Sequence, residues 1–259
     1  MEAKGHDRMF TVCLCEFLGT ALFIFGLMNS NLVLTYPFSL MASVVIFGDI
    51  TGGHFNPAVS IGVFTQLGDY GKNFMFLIMI IISQVLGGFL AIGMFQLGYI
   101  QKGDPVIPIL APVNPITGEP DNATNELEFS MDLQVVINEI VCTFIFVSVI
   151  LMIKGEHTAG DRKGIAAAIC VVVTLLCCIS GTNKLGACFN PAVGIALTAD
   201  AIFALGTKHY LYHYLYAYTL GPATGGLLAG LFHMLHRDAH KPEEVHPEFD
   251  QNQKEHLMH

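Results

Sequence analysis

The stretches His54-Phe55-Asn56-Pro57-Ala58-Val59 and Cys188-Phe189-Asn190-Pro191-Ala192-Val193 decide how this chain folds. Phe-Asn-Pro-Ala-Val stands in both, once in each half, behind an apolar segment of membrane-spanning length. Asparagine is a strong helix N-cap, because its side-chain oxygen accepts from an orphan N–H of the first turn. Proline suits the first helical position, where its missing N–H is not needed. Each copy therefore predicts a helix start, the first running from Pro57 to about Leu67 and the second from Pro191 to about Asp200. At about 1.5 Å per residue neither crosses a hydrocarbon core of about 30 Å. Both are too apolar for an ordinary loop, so each reads as a re-entrant half-helix. Gly52-Gly53 supplies the bend before the first, and the glycine-punctuated loop Gly181–Ala187 leads into the second.

Around the boxes the chain is built for a bilayer. Its 259 residues are 53% hydrophobic and 13% charged, with a mean hydropathy of +0.57. Apolar blocks predict six helical spans, roughly Met9–Met28, Leu32–Ile50, Phe74–Gly98, Leu133–Ile153, Gly164–Ser180 and Tyr210–His233. The first is too long for a signal-peptide core and is expected to be retained. This divides the chain into a polar tail (1–8), one all-α membrane domain (9–235) with repeats at about 9–98 and 133–235, and a disordered tail (236–259). Six spans put both termini on one face. That face receives Lys4, Arg8, Lys72, Lys154, Arg162, Lys163, Arg237, Lys241 and Lys254, against Lys102, Lys184 and Lys208 opposite, so both termini are expected in the cytoplasm. The net charge of −9 reflects mainly the acidic third loop and tail. No basic patch points to nucleic acid. The seven cysteines show no metal-type spacing, and most of them read as small buried hydrophobes. No metal or cofactor is expected.

Polar residues inside the spans are few. Glu16 in Glu16-Phe-Leu-Gly19-Thr20 and Glu139 in Glu139-Ile-Val-Cys142-Thr143 repeat one pattern. A carboxyl inside a span marks either a transport function or a structural acceptor for irregular backbone folded into the membrane, and the structural role is favoured. Gln84, three residues before Gly87-Gly88, can bridge neighbouring helices, and Gly226-x-x-x-Gly230 offers a close-packing face. Asn122-Ala123-Thr124 in the long third loop is an N-glycosylation acceptor tripeptide. Tyrosines at 210, 212, 214, 216 and 218 scatter around a helix, which suits an interfacial belt and packing. His240, His246, His256 and His259 read as solvated tail residues.

Each half is thus span, span, half-helix, span. Three spans per half give the copies opposite topology, so the half-helices enter from opposite faces and meet N-terminus to N-terminus. Two such termini concentrate positive potential, and the amides of Asn56 and Asn190 can donate there. A neutral solute with an oxygen lone pair is welcome, whereas a cation or proton meets a barrier. A secondary transporter shares the architecture but usually needs coupling carboxylates in its pathway. No nucleophile–base pair, phosphate loop or metal motif suggests an enzyme.

The duplicated boxes, Glu16-x-x-Gly-Thr20, Gly-x-His54-Phe-Asn-Pro-Ala-Val, Gln84-x-x-Gly87 and Gly221-Pro222 with Gly225-Gly226 resemble the aquaporin (major intrinsic protein) family over residues 9–235. The resemblance implies six spans and two half-helices. It also implies a homotetramer in the lipid bilayer, each subunit passing water or small neutral solutes passively. His54 is common before the first box in such proteins, where loop packing is its expected role.

One departure stands out. Most members follow the second box with an arginine at the narrowest constriction, and here that position is Val193, with Gly194 next. Counting from each Asn places the other constriction positions at Tyr36, Cys178 and Ala187. A filter of Tyr36, Cys178, Ala187 and Val193 has neither the fixed charge nor the donor fork of arginine. It could be a wider, more apolar mouth for glycerol, urea, peroxide or ammonia, the outcome favoured, or a dry constriction gated by dewetting. An adhesion or scaffold role is the alternative function.

Overall fold

A computed structural model describes residues 2–29, 33–99, 109–112, 129–154, 165–182, 185–207 and 212–239. Asn122, Tyr210 and the four tail histidines lie outside them. Among the described residues all regular structure is helical: α1 (Glu2–Met28), α2 (Thr35–Thr51), α3 (Pro57–Leu67), α4 (Tyr70–Tyr99), α5 (Phe129–Lys154), α6 (Ile165–Gly181), α7 (Pro191–Leu205) and α8 (Leu215–Ala239).

The packing repeats between halves. α1 lies against α2 and α4, and α5 against α6 and α8. Each half-helix also crosses to the other repeat, α3 onto α8 and α7 onto α4. The α3–α8 crossing is close because Gly62, Gly226 and Gly230 have no side chains. A Cβ at Gly226 would run into the carbonyl of Ala58, and one at Gly230 would lie 2.6 Å from the carbonyl of Gly62. Outside this core the surface is apolar, with Phe10, Val45, Met75, Leu97, Phe203 and Leu220 more than half exposed. In water such a surface would be an association site; in a bilayer it is ordinary.

The helices differ from expectation mostly at their ends. Residues 2–8, expected as a tail, belong to α1, and α8 continues through residues 236–239, where a disordered tail was expected. Hydropathy marks where a chain leaves hydrocarbon, not where its helix stops. His236 and Arg237 occupy the last turn of α8, where cations favour the negative end of the helix dipole. α4 and α5 likewise start four residues earlier than the apolar blocks suggested. α8 starts later, at Leu215, and of the tyrosine run Tyr214 and Tyr218 are buried while Tyr212 and Tyr216 are exposed. Among the described residues, three helices are long and apolar enough to cross a membrane, within Arg8–Met28, Tyr70–Gly98 and Met131–Ile153. α2 and α6, 17 residues each, are about 25 Å long, at the short end of the spanning range.

Candidate functional site

The two boxes meet in the core and hold each other. Asn56 and Asn190 are extended (φ −158° and −153°), and their Oδ1 atoms accept from Ala58 N–H at 2.8 Å and Ala192 N–H at 2.9 Å. Pro57 and Pro191 open the helices as N1 residues. The remaining amide chemistry is reciprocal. Asn56 Nδ2 donates to the carbonyl of Phe189 at 2.8 Å, and Asn190 Nδ2 donates to the carbonyl of Phe55 at 2.9 Å. One N–H of each asparagine is therefore committed to the opposite box, which leaves one per amide for a solute.

Phe55 and Phe189, just before each asparagine, sit at φ 46° and 52°. For a bulky side chain this left-handed backbone costs about 1–3 kcal/mol. The carboxylates supply the compensation. Glu16 accepts from His54 N–H at 3.1 Å and Phe55 N–H at 2.8 Å, and Glu139 from Cys188 N–H at 2.9 Å and Phe189 N–H at 2.7 Å. Both are fully buried, and bonds from N–H to carboxylate are among the stronger kind. Gln84 adds a third donor to Glu16 at 2.7 Å and also donates to Ser60 Oγ at 2.9 Å, which lies 3.1 Å from His54 Nδ1. The second half has Pro222, Gly194 and Cys188 at the corresponding positions, so this polar relay belongs to the first half only.

On the second half, packing replaces the relay. Buried Tyr218 donates its hydroxyl to the Leu185 carbonyl at 2.9 Å, with Gly186 (φ 79°) folded against its ring. Gly194 lets the Tyr218 carbonyl approach α7, and Cys188 Sγ reaches that carbonyl at 3.5 Å and the Asn190 carbonyl at 3.0 Å. Tyr218 thus seats the loop leading to the second box.

The four positions expected to form the constriction come together in one apolar cluster. Tyr36, Cys178 and Val193 are buried, at 7%, 7% and 1% exposure, and Ala187 packs half-buried against the same cluster. Cys178 Sγ lies 3.6 Å from the Cys142 carbonyl. The Tyr36 ring stacks on Phe23 at 5.3 Å, and its hydroxyl donates to the Cys188 carbonyl. Phe23 and Ser60 were not singled out from sequence, and Tyr218 was read only as one of a run of belt and packing tyrosines. Phe23 had a signal, since it follows Glu16 by seven residues as buried Phe146 follows Glu139. Among the described residues no group of three or more His, Cys, Asp or Glu is placed to hold a metal.

Comparisons with known proteins agree on one group. The family described as Major intrinsic protein matches residues 5–233. Aquaporin-8 of Mus musculus is 30% identical over 199 residues, covering 72% of this chain and 70% of that protein. Aquaporin-8 of Notomys alexis is 29% identical over 205 residues (74% and 71%). The glycerol uptake facilitator protein of Pseudomonas aeruginosa is 27% identical over 230 residues (81% and 77%). Among solved structures, the aquaglyceroporin from Plasmodium falciparum matches with a TM-score of 0.65 at 19% identity, covering 87% of this chain and 96% of that one, which speaks to the fold.

Proposed function

This chain belongs to the major intrinsic protein family, whose members are transmembrane channels for water and small neutral solutes, and we propose that its substrate choice is made at Tyr36, Cys178, Ala187 and Val193. The observation that carries the reading is the reciprocal bonding of the two boxes. It points two helix N-termini and two spare amide N–H groups at one spot, which suits a neutral oxygen-bearing solute and repels a cation. Flanking that spot, the proposed constriction contributes no charged side chain, so glycerol, urea, peroxide and ammonia join water as candidate solutes. The channel works passively, with both termini in the cytoplasm and four copies assembled in the bilayer, each with its own pore. Relatives named as aquaporins and a glycerol facilitator do not favour the adhesion or scaffold role.

The test is the permeability of purified protein in vesicles to water, glycerol and peroxide, measured on the same preparation. Water and at least one larger solute should pass faster than through protein-free vesicles. Glycerol-driven swelling and peroxide entry at the protein-free rate would remove the wide-mouth reading, and water at that rate would remove the channel itself.

A further inference from the structure

The hydroxyl of Tyr36 is buried in an apolar cluster, where a phenol must find an acceptor or bear the cost of lost hydration. It finds the carbonyl of Cys188, a residue 152 positions away in the other repeat. That carbonyl has a definite place in the site. The Phe189 carbonyl, one residue nearer the second box, is taken by Asn56, so Cys188 offers the next acceptor out from the meeting point. The Tyr36–Cys188 bond therefore ties α2 of the first repeat to the box-leading loop of the second, among the buried residues Cys178 and Val193.

The two partners are not equally held. Cys188 is pinned through its N–H to Glu139 and through its thiol to the Asn190 carbonyl, and the next residue is pinned by Glu139 as well. Among the described residues, the Tyr36 ring is held by packing, on Phe23 above all, and by this one bond from its hydroxyl. The side chain of Val193 supplies no competing donor to the loop.

We propose that Tyr36 is a latch across the outer constriction, closed when its phenol holds the Cys188 carbonyl and opened when a solute takes that carbonyl in its place. The exchange favours small neutral solutes with an O–H or N–H donor, such as water, peroxide, glycerol and urea. A solute lacking a donor leaves the carbonyl bare and gains nothing by displacing the phenol. The proposal rests on the channel reading above, with the regulation of that same pore assigned to one hydroxyl.

The experiment compares water permeability of the wild-type protein, Tyr36→Phe and Tyr36→Met with protein-free vesicles. Removing one hydrogen bond of ordinary strength should raise water flux about three- to ten-fold in both variants and flatten its temperature dependence. Equal flux in the wild type and both variants, all above protein-free vesicles, overturns the latch and leaves the channel standing. Flux in the variants with none in the wild type supports the latch and overturns the wild type as an open channel. No flux in any of the three overturns both. If Tyr36→Phe does not assemble, Tyr36→Met carries the comparison; failure of both to assemble makes the bond a structural strut and overturns the latch.

Discussion

Val193 ends the second of the two identical pentapeptides, at the position where the family resemblance leads one to expect an arginine. In the first copy, Val59 is a packing residue at 1% exposure, and Val193 is equally buried. Both repeats thus place a buried core side chain at this position. The neighbouring residue helps to seat the loop. Gly194 brings α7 against the Tyr218 carbonyl, and Tyr218 in turn holds the Leu185 carbonyl, so the loop is seated by α8 without help from an arginine. Restoring the charge tests the placement. Val193→Arg should narrow the mouth and supply up to five donors, cutting glycerol and urea flux by about tenfold or more while reducing water flux much less. Parallel stopped-flow traces for water and glycerol decide it, and equal loss of both would show that residue 193 does not border the passage.

At the scale of elements, the half-helices were the most legible part of the chain. Pro57–Leu67 matches the approximate bounds read from sequence, with the Asn cap and N1 proline marking its start and Gly68, left-handed at φ 72°, ending it. The second half-helix was readable at its start only. It was expected to stop near Asp200 but continues to Leu205, because Asp200 is buried, with Gln96 Nε2 donating to it at 2.6 Å. A charge that signals a surface helix end in sequence is here a partnered core group, and its partner is 104 residues away. The contacts among the four proposed constriction residues were illegible for the same reason. Tyr36 and Val193 could be nominated by counting, but the bond from Tyr36 to a backbone carbonyl leaves no trace in residue identity. Glycine pairs, by contrast, announced close packing, and the α3–α8 crossing makes that quantitative. Gly226→Leu forces backbone apart at Ala58 and should prevent assembly of folded protein, whereas Gly93, with open space around it, should accept alanine and gain up to about 1 kcal/mol in helix propensity. Yield and melting temperature in detergent distinguish the two. A stable Gly226→Leu protein would mean that α3 and α8 do not approach as closely as the geometry requires.

For the molecule as a whole, the decisive property is that its two strained, carboxylate-held turns face each other. Each repeat alone would present one helix N-terminus, an ordinary anion-favouring end with about half a positive charge. Bringing α3 and α7 together end to end adds the two fields at the point where Asn56 and Asn190 cross-bond, with Glu16 and Glu139 engaged by the N–H groups of the turns behind them. The carboxylates are thereby committed to the turns they hold, and the meeting point of the helix ends carries positive potential from the two dipoles. The barrier expected at the boxes is separate from the proposed constriction at Val193, so cation exclusion and solute size selection should separate experimentally. Vesicles that pass water should show no sodium or potassium current above background in a planar bilayer, and Tyr36→Phe or Tyr36→Met should raise water flux without creating one. A variant in which Asn56 and Asn190 are both replaced by aspartate keeps helix-capping oxygens but removes both amide donors and adds negative charge, and it should lose the barrier, admitting monovalent cations if it still assembles. Cation current already present in the wild-type protein would show that the opposed helix ends do not control the passage. Current appearing with Tyr36→Phe alone would move the barrier from the boxes to the constriction.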